Sequence, residues 1–134
     1  MPPSSYPAIS VATTSTHDIE PMALWWDSVD PHERRAFAAL LEPQHADSIA
    51  QSPFGPAIRD AILALAYHAG SDLLLLPIQD VFGWRERINV PATVAAHNWT
   101  WRVPTTTDAL VAGGEPRQRA LALHALAAAS GRLA

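Results

Sequence analysis

The chain contains no cysteine, which excludes disulfides, thiolate zinc sites and a cysteine nucleophile together. It contains no lysine either. All nine basic residues are arginine, so Schiff-base chemistry and the lysine of a phosphate-binding P-loop are excluded too. The arginines are scattered among thirteen acids for a net charge of −4, which leaves no basic footprint for a nucleic acid. The longest apolar run, Leu73–Ile78, is far too short to cross a bilayer. The opening MPPSSYPAIS lacks the positive and apolar regions of a secretion signal. Six dispersed histidines show no pair at ligand spacing on one element, and neither a nucleophile elbow nor a glycine-rich phosphate loop is present. These absences predict a cytoplasmic protein with no metal, cofactor, nucleic-acid or membrane partner.

What is present suffices for one domain's core: 134 residues, 49% of them hydrophobic, cut into short elements by twelve prolines. The β-branched stretch Ile9–Thr14 predicts a strand after an irregular or disordered segment 1–8. A helix is expected from about Glu20-Pro21, with Met22, Trp25 and Trp26 on one side. The next helix has a sharper start, with Asp30 as N-cap, Pro31 at the first helical position and Glu33 three residues after the cap. Phe37, Leu40 and Leu41 are its predicted inner face, and Glu42-Pro43 its end. Residues 44–55 are polar and predict a loop. Ile58, Ile62 and Leu65 predict a helix over 56–69, with Gly70 as its C-terminal stop. The run DLLLLPIQD predicts a strand buried on both faces, as in a parallel sheet. Residues 78–106 predict an irregular segment, followed by a short helix opened by Asp108 and a terminal helix over 116–133.

Two strands joined by a helical crossover make one βαβ unit. Two parallel strands leave two open edges, and a doubly buried strand needs neighbours that residues 1–134 do not supply. The fold class expected is therefore α/β, in a single segment incomplete on its own. Alone it is expected to be aggregation-prone or molten.

Two stretches are suited to chemistry. His17-Asp18 follows the first strand, at the end of a parallel sheet where catalytic side chains project, although Asp18 is also well placed to cap the following helix. Residues 84–102, WRERINVPATVAAHNWTWR, follow the second strand at the same end. They combine three tryptophans, three arginines and two asparagines. Sugars stack their apolar faces on indole and hydrogen-bond through their hydroxyls, so this composition suits a carbohydrate. Taken singly, each tryptophan could equally pin a long loop to the core. Asn98 is the asparagine expected to contact a hydroxyl directly, since an amide both donates and accepts. Trp99 and Trp101, two apart, are expected to point the same way and anchor the loop.

Together SVATTSTHD, ALWW, LLLLPIQDVFGW and RINVPATV..HNWTWR, in this order, resemble the C-terminal part of the 4-α-glucanotransferases of the amylomaltase (disproportionating enzyme) family, from about Tyr6 to about Arg102. The resemblance implies the C-terminal quarter, the last two βα units, of a (β/α)8 TIM-type barrel. It implies transfer of α-1,4-glucan segments between acceptors with retention, on an α-1,4-glucan or maltooligosaccharide substrate. Asp18 is then the carboxylate that stabilises the transition state, and His17 its substrate-binding neighbour. Arg87, Asn89 and Asn98 fall in the loop over the barrel mouth. Retaining chemistry needs a nucleophile and an acid/base about 5 Å apart. The family takes both from earlier strands, so the resemblance implies a requirement for the missing N-terminal part of the barrel and an inactive isolated segment. Two departures stand out: Ile19 in place of a threonine, and Ala92 in place of a glycine, a change tolerable only with a negative φ. Two other classes remain open at this point, a non-catalytic carbohydrate-binding module using the Trp/Asn/Arg loop and a plain structural or partner-binding helical domain.

Overall fold

The computed structural model describes residues 1–133. Strands β1 (Val11–Thr13) and β2 (Leu73–Leu75) pair in parallel, with Val11 opposite Leu73, Ala12 opposite Leu74 and Thr13 opposite Leu75. Four helices make the crossover between them: α1 (Met22–Ser28), α2 (Pro31–Leu41), α3 (Ala46–Gln51) and α4 (Pro56–Tyr67). The chain is α/β, as expected. The leucine strand, however, is not buried on both faces. Leu73 and Leu75 are 59% and 62% exposed, and Val11 beside them 53%, while Ala12 on the other face is 6% exposed. Alternation puts these residues on opposite faces of the pleat, and the described residues cover only one of them.

The covered side carries a helical layer organised around Trp26. The Trp26 ring is fully buried with Met22, Ala38, Ala46, Ile58, Ile62 and Leu63, and its Nε1 donates to Ser52 O at 3.0 Å. Trp25, half-buried, meets Phe37 edge-on at 5.0 Å. Asp30 caps α2 as expected, its carboxylate accepting from His32 N at 2.8 Å. The inner face of α2 differs from expectation: Ala38 is sealed, whereas Leu40 is 43% exposed. Residues 44–55 are not a simple loop. A 3-10 turn at Pro43–His45 leads into α3, which lays Ala46, Ile49 and Ala50 against α2. Those three sit at i, i+3 and i+4, a helical stripe that the polar residues between them disguise.

Helix α4 ends at Tyr67, not at a Gly70 stop. Gly70 is small for another reason. The N-terminal segment, irregular apart from a 3-10 turn at Pro3–Ser5, crosses it so closely that a Cβ there would lie 2.4 Å from Tyr6 O. After β2 the chain forms α5 (Ile78–Phe82), which the irregular reading of 78–106 missed, ending on Gly83 with a left-handed φ of +76°. Helix α6 (Thr107–Ala112) is capped by the Thr106 hydroxyl rather than opened by Asp108, and α7 (Gly114–Ala129) starts two residues early. Arginines tie these ends together. Arg59 and Arg119 donate to Phe82 O and Val81 O at the C-terminus of α5, at 3.2 and 3.0 Å. Arg132 donates to the carbonyls of Tyr67, Ala69, Ser71 and Asp72, neutralising the negative end of α4. No described helix is long and apolar enough to cross a membrane.

Candidate functional site

Because β1 and β2 are parallel, the segments leaving their C-terminal ends lie side by side. Residues 14–21 leave β1 and carry His17 and Asp18. Residues 83–106 leave α5 and form a rim without regular structure. The two segments meet at Asp18. Asn89 Nδ2 donates to Asp18 Oδ1 at 2.9 Å, and His17 Nε2 lies 3.1 Å from Asp18 Oδ2. Arg87 spans the same junction. Its guanidinium donates to Asp18 O at 3.3 Å and Glu20 Oε1 at 3.2 Å, and its Nε to Asn89 O at 3.2 Å. The structure thus brings together His17, Asp18, Arg87 and Asn89, with Asp18 and Asn89 in contact across 71 positions. His17 and Asp18 keep about half of their side-chain surface open to solvent.

Asp18 does not cap α1. The cap position is Pro21, and the first free amide of the helix, Met22 N, donates to Asp80 Oδ1 instead, at 2.8 Å. Asp18 is left with both oxygens at the junction of the two segments, one held by an amide and one beside an imidazole. Such an arrangement can accept hydrogen bonds from sugar hydroxyls and place negative charge opposite a developing cation.

Asn98 is placed differently from the direct contact expected of it. Its Oδ1 accepts from Val90 N at 3.0 Å, and its Nδ2 donates to Thr93 O and Thr93 Oγ1 at 3.1 and 3.0 Å. The amide closes the turn over 90–98 and sets the rim's shape. Trp99 and Trp101 do not anchor the rim as a pair. Trp99 has φ +65°, which breaks the extended alternation on which that expectation rests. Its backbone N–H donates to Ile88 O at 2.8 Å; the residue is 60% exposed, and its ring lies 5.1 Å from the His17 ring. Trp101 instead packs against Trp84, which stacks on Phe82 at 4.6 Å. An exposed indole beside His17-Asp18 is the site feature that reading the tryptophans as anchors missed. Ala92 has φ +59°, so the condition of a negative φ is not met and alanine here occupies a glycine conformation at about 1–2 kcal/mol of strain.

A cavity of about 530 Å³ lies between β1, α1 and α4, lined mainly by apolar side chains such as Met22, Trp25, Ile62 and Leu65. His17, Asp18 and Asn89 do not line it, whereas Glu20 and Arg87 do. Among the described residues no cluster of three or more His, Asp or Glu side chains is arranged to hold a metal ion.

Comparison with known proteins converges on one group. The family model described as 4-alpha-glucanotransferase matches residues 1–107. The chain is 30% identical over 122 residues to a 4-alpha-glucanotransferase of Chlamydia muridarum, covering 84% of this chain and 22% of that protein. It is 28% identical over 108 residues to a chloroplastic/amyloplastic 4-alpha-glucanotransferase of Arabidopsis thaliana, covering 79% of this chain and 17% of that protein. Among solved structures, the amylomaltase of Streptococcus agalactiae in complex with acarbose superposes with a TM-score of 0.69 at 24% identity, over 96% of this chain and 23% of that one. The chain spans about a fifth of the length of the curated relatives it matches.

Proposed function

Since this chain belongs to the 4-alpha-glucanotransferase family, we propose that it is the C-terminal quarter of a (β/α)8 glucan-transferring barrel and supplies one wall of the sugar site. The observation that carries this reading is the meeting of Asp18 and Asn89 at 2.9 Å, across the two segments that leave the C-terminal ends of parallel strands. In it, Asp18 is the carboxylate that accepts hydroxyls of the glucose ring and stabilises the positive charge of an oxocarbenium-like transition state. His17 and Asn89 flank it with further donors, Trp99 offers its indole face to a sugar ring, and Arg87 holds the two segments in register. Asn98 acts at one remove, by shaping the rim. The reaction breaks one α-1,4 bond and forms another with retention. The nucleophile and the acid/base come from barrel strands outside residues 1–134, which pair with the open edges of β1 and β2 and whose side chains cover the bare face of Val11, Leu73 and Leu75.

The test is to join residues 1–134 to the part of the Streptococcus agalactiae amylomaltase that lies outside the superposed region, and to follow maltotriose disproportionation. Transfer by the joined protein, absent from either part alone, is the expected result. Tight binding of maltoheptaose by the isolated chain, with no transfer in the joined protein, would instead make it a free-standing sugar-binding module.

A further inference from the structure

Asp80 is a fully buried carboxylate that the reading above leaves without a task. Its Oδ2 accepts from Ser15 Oγ at 2.5 Å and from Thr14 Oγ1, and its Oδ1 accepts from Met22 N at 2.8 Å. No arginine or histidine of the described residues forms a salt bridge with it. Burying a carboxylate without a counter-charge is costly unless hydrogen bonds offset it. A core position that only needed filling is better served by an apolar side chain.

The three donors explain the charge. Thr14 and Ser15 are the first residues beyond β1, and Met22 is the first residue of α1. One carboxylate therefore grips both ends of the segment that carries His17 and Asp18. Only Thr16–Pro21 bridges the gap, so fixing its two ends fixes where its apex can lie. Asp80 stands in the first turn of α5, directly after β2, and Asn89 and Arg87 follow on the same stretch of chain. The element that anchors the Asp18 segment is thus the one that leads into Asp18's partners. We propose that Asp80 is a positioning residue, a buried clamp that sets the height of Asp18 against Asn89. Its bearing on glucan transfer rests on the function proposed above, whereas the clamp itself does not.

The experiment uses the full 134-residue chain and four proteins: wild type, Asp80→Ala, Asp80→Asn and Arg132→Ala. Backbone hydrogen exchange and the side-chain amide resonances of Asn89 are read in each. Alanine leaves the Met22 N–H and two hydroxyls unpartnered. Exchange over residues 15–22 should then accelerate by ~10-fold or more, while Trp26 and Leu63 amides change by less than ~3-fold. The Asn89 amide protons should move toward the shifts of a free asparagine as the bond to Asp18 loosens. Asparagine keeps the shape, and its carbonyl can still accept from Met22 N while the hydroxyls turn to accept from its NH2, so Asp80→Asn should restore most of both readouts. Arg132→Ala, which removes the carbonyl contacts at the end of α4, should leave the Asn89 signature at its wild-type position.

Unchanged exchange and unchanged Asn89 resonances in Asp80→Ala would overturn the proposal. So would equal loss of protection in residues 15–22 and at Trp26 and Leu63, since Asp80 would then serve general stability. Fast exchange of residues 15–22 in the wild type beside protected Trp26 and Leu63 amides would overturn it as well, because no clamp would exist. None of these outcomes depends on glucan transfer, so failure of the clamp and failure of the proposed activity are separable.

Discussion

The helical layer around Trp26 and the rim over residues 83–106 lie in the same small protein and are held in place by different physics. In the layer, Trp26, Leu63 and Ala38 are sealed by apolar neighbours at helical spacing. In the rim there is no regular element. Its shape comes from directed contacts: Asn98 to Val90 and Thr93, Arg87 to Glu20, Arg85 to Asp27, and two residues forced to positive φ. Apolar packing is non-directional and tolerates approximate solutions, whereas a rim built from hydrogen bonds fixes particular atoms at particular places. The first suits a scaffold, and the second suits a surface that must meet a ligand.

The sharpest way to separate the two is a pair of substitutions. Trp26→Ala should cost about 3–5 kcal/mol, read as a lowered urea midpoint, because a large buried ring leaves a cavity and Ser52 O loses its donor. Asp18→Asn in the joined transferase should do the reverse. It should lower turnover by at least ~10²-fold with the melting temperature nearly unchanged, since the Asp18 side chain is half exposed and caps no helix. Turnover within a factor of a few of wild type would remove Asp18 from the site. If Asp18→Asn instead melted the protein, the rim and the layer would not be separate in the way the contacts indicate.

How much of each region the sequence disclosed follows the same division. Residues 31–41 announced themselves through the Asp30 cap, Pro31 and Glu33, and residues 56–67 through Ile58, Ile62 and Leu65 at i, i+4 and i+7. Helix α3 did not, because Ala46, Ile49 and Ala50 make a stripe too small to stand out among polar neighbours. His17-Asp18 was legible from its place after a strand, and Arg87 and Asn89 through resemblance to a family. No local pattern could have shown that Asn89 reaches Asp18, since that contact is made by folding alone. Nor could alternation have oriented Trp99, whose positive φ is set by its N–H bond to Ile88. Asp80 was hidden for a related reason: as one polar residue closing a leucine run it reads as the end of a strand, and only the fold brings Thr14, Ser15 and Met22 to it.

A smaller effect sharpens the rim side. Ala92 sits at φ +59°, with the residue exposed, so Ala92→Gly should relieve the left-handed strain without opening a cavity. Strain of about 1–2 kcal/mol is partly offset by the greater entropy of glycine in the unfolded chain, leaving a gain near 1 kcal/mol. Denaturant melts of the two proteins measure it. A loss of stability would mean that Ala92 does not hold a positive φ in solution.

The smallest effect belongs to the scaffold and depends on pH. Asp60 lies between Arg59, whose Nε donates to it at 2.9 Å, and Arg119, whose Nη2 lies 2.9 Å away as a charge contact rather than an aligned hydrogen bond. Partial burial pushes the Asp60 carboxyl upward, but the Arg59 hydrogen bond and the charge of both guanidiniums outweigh it and hold the group below the ordinary carboxylate value. A carboxyl lowered in the folded state binds its proton less readily there than in the unfolded chain. Its stabilising contribution is therefore complete above the unfolded value and disappears as pH falls through the folded one. Half of the Asp60 side chain faces water, so solvent screening keeps the contribution small. Comparing wild type with Asp60→Asn isolates it from the other carboxylates. The wild type should be the more stable of the two at pH 7, and the gap should close as the pH drops below the normal carboxylate range. A gap that stays constant with pH would mean that the two arginines gain nothing from the charge on Asp60, and that they hold α5 through the carbonyls of Val81 and Phe82 alone.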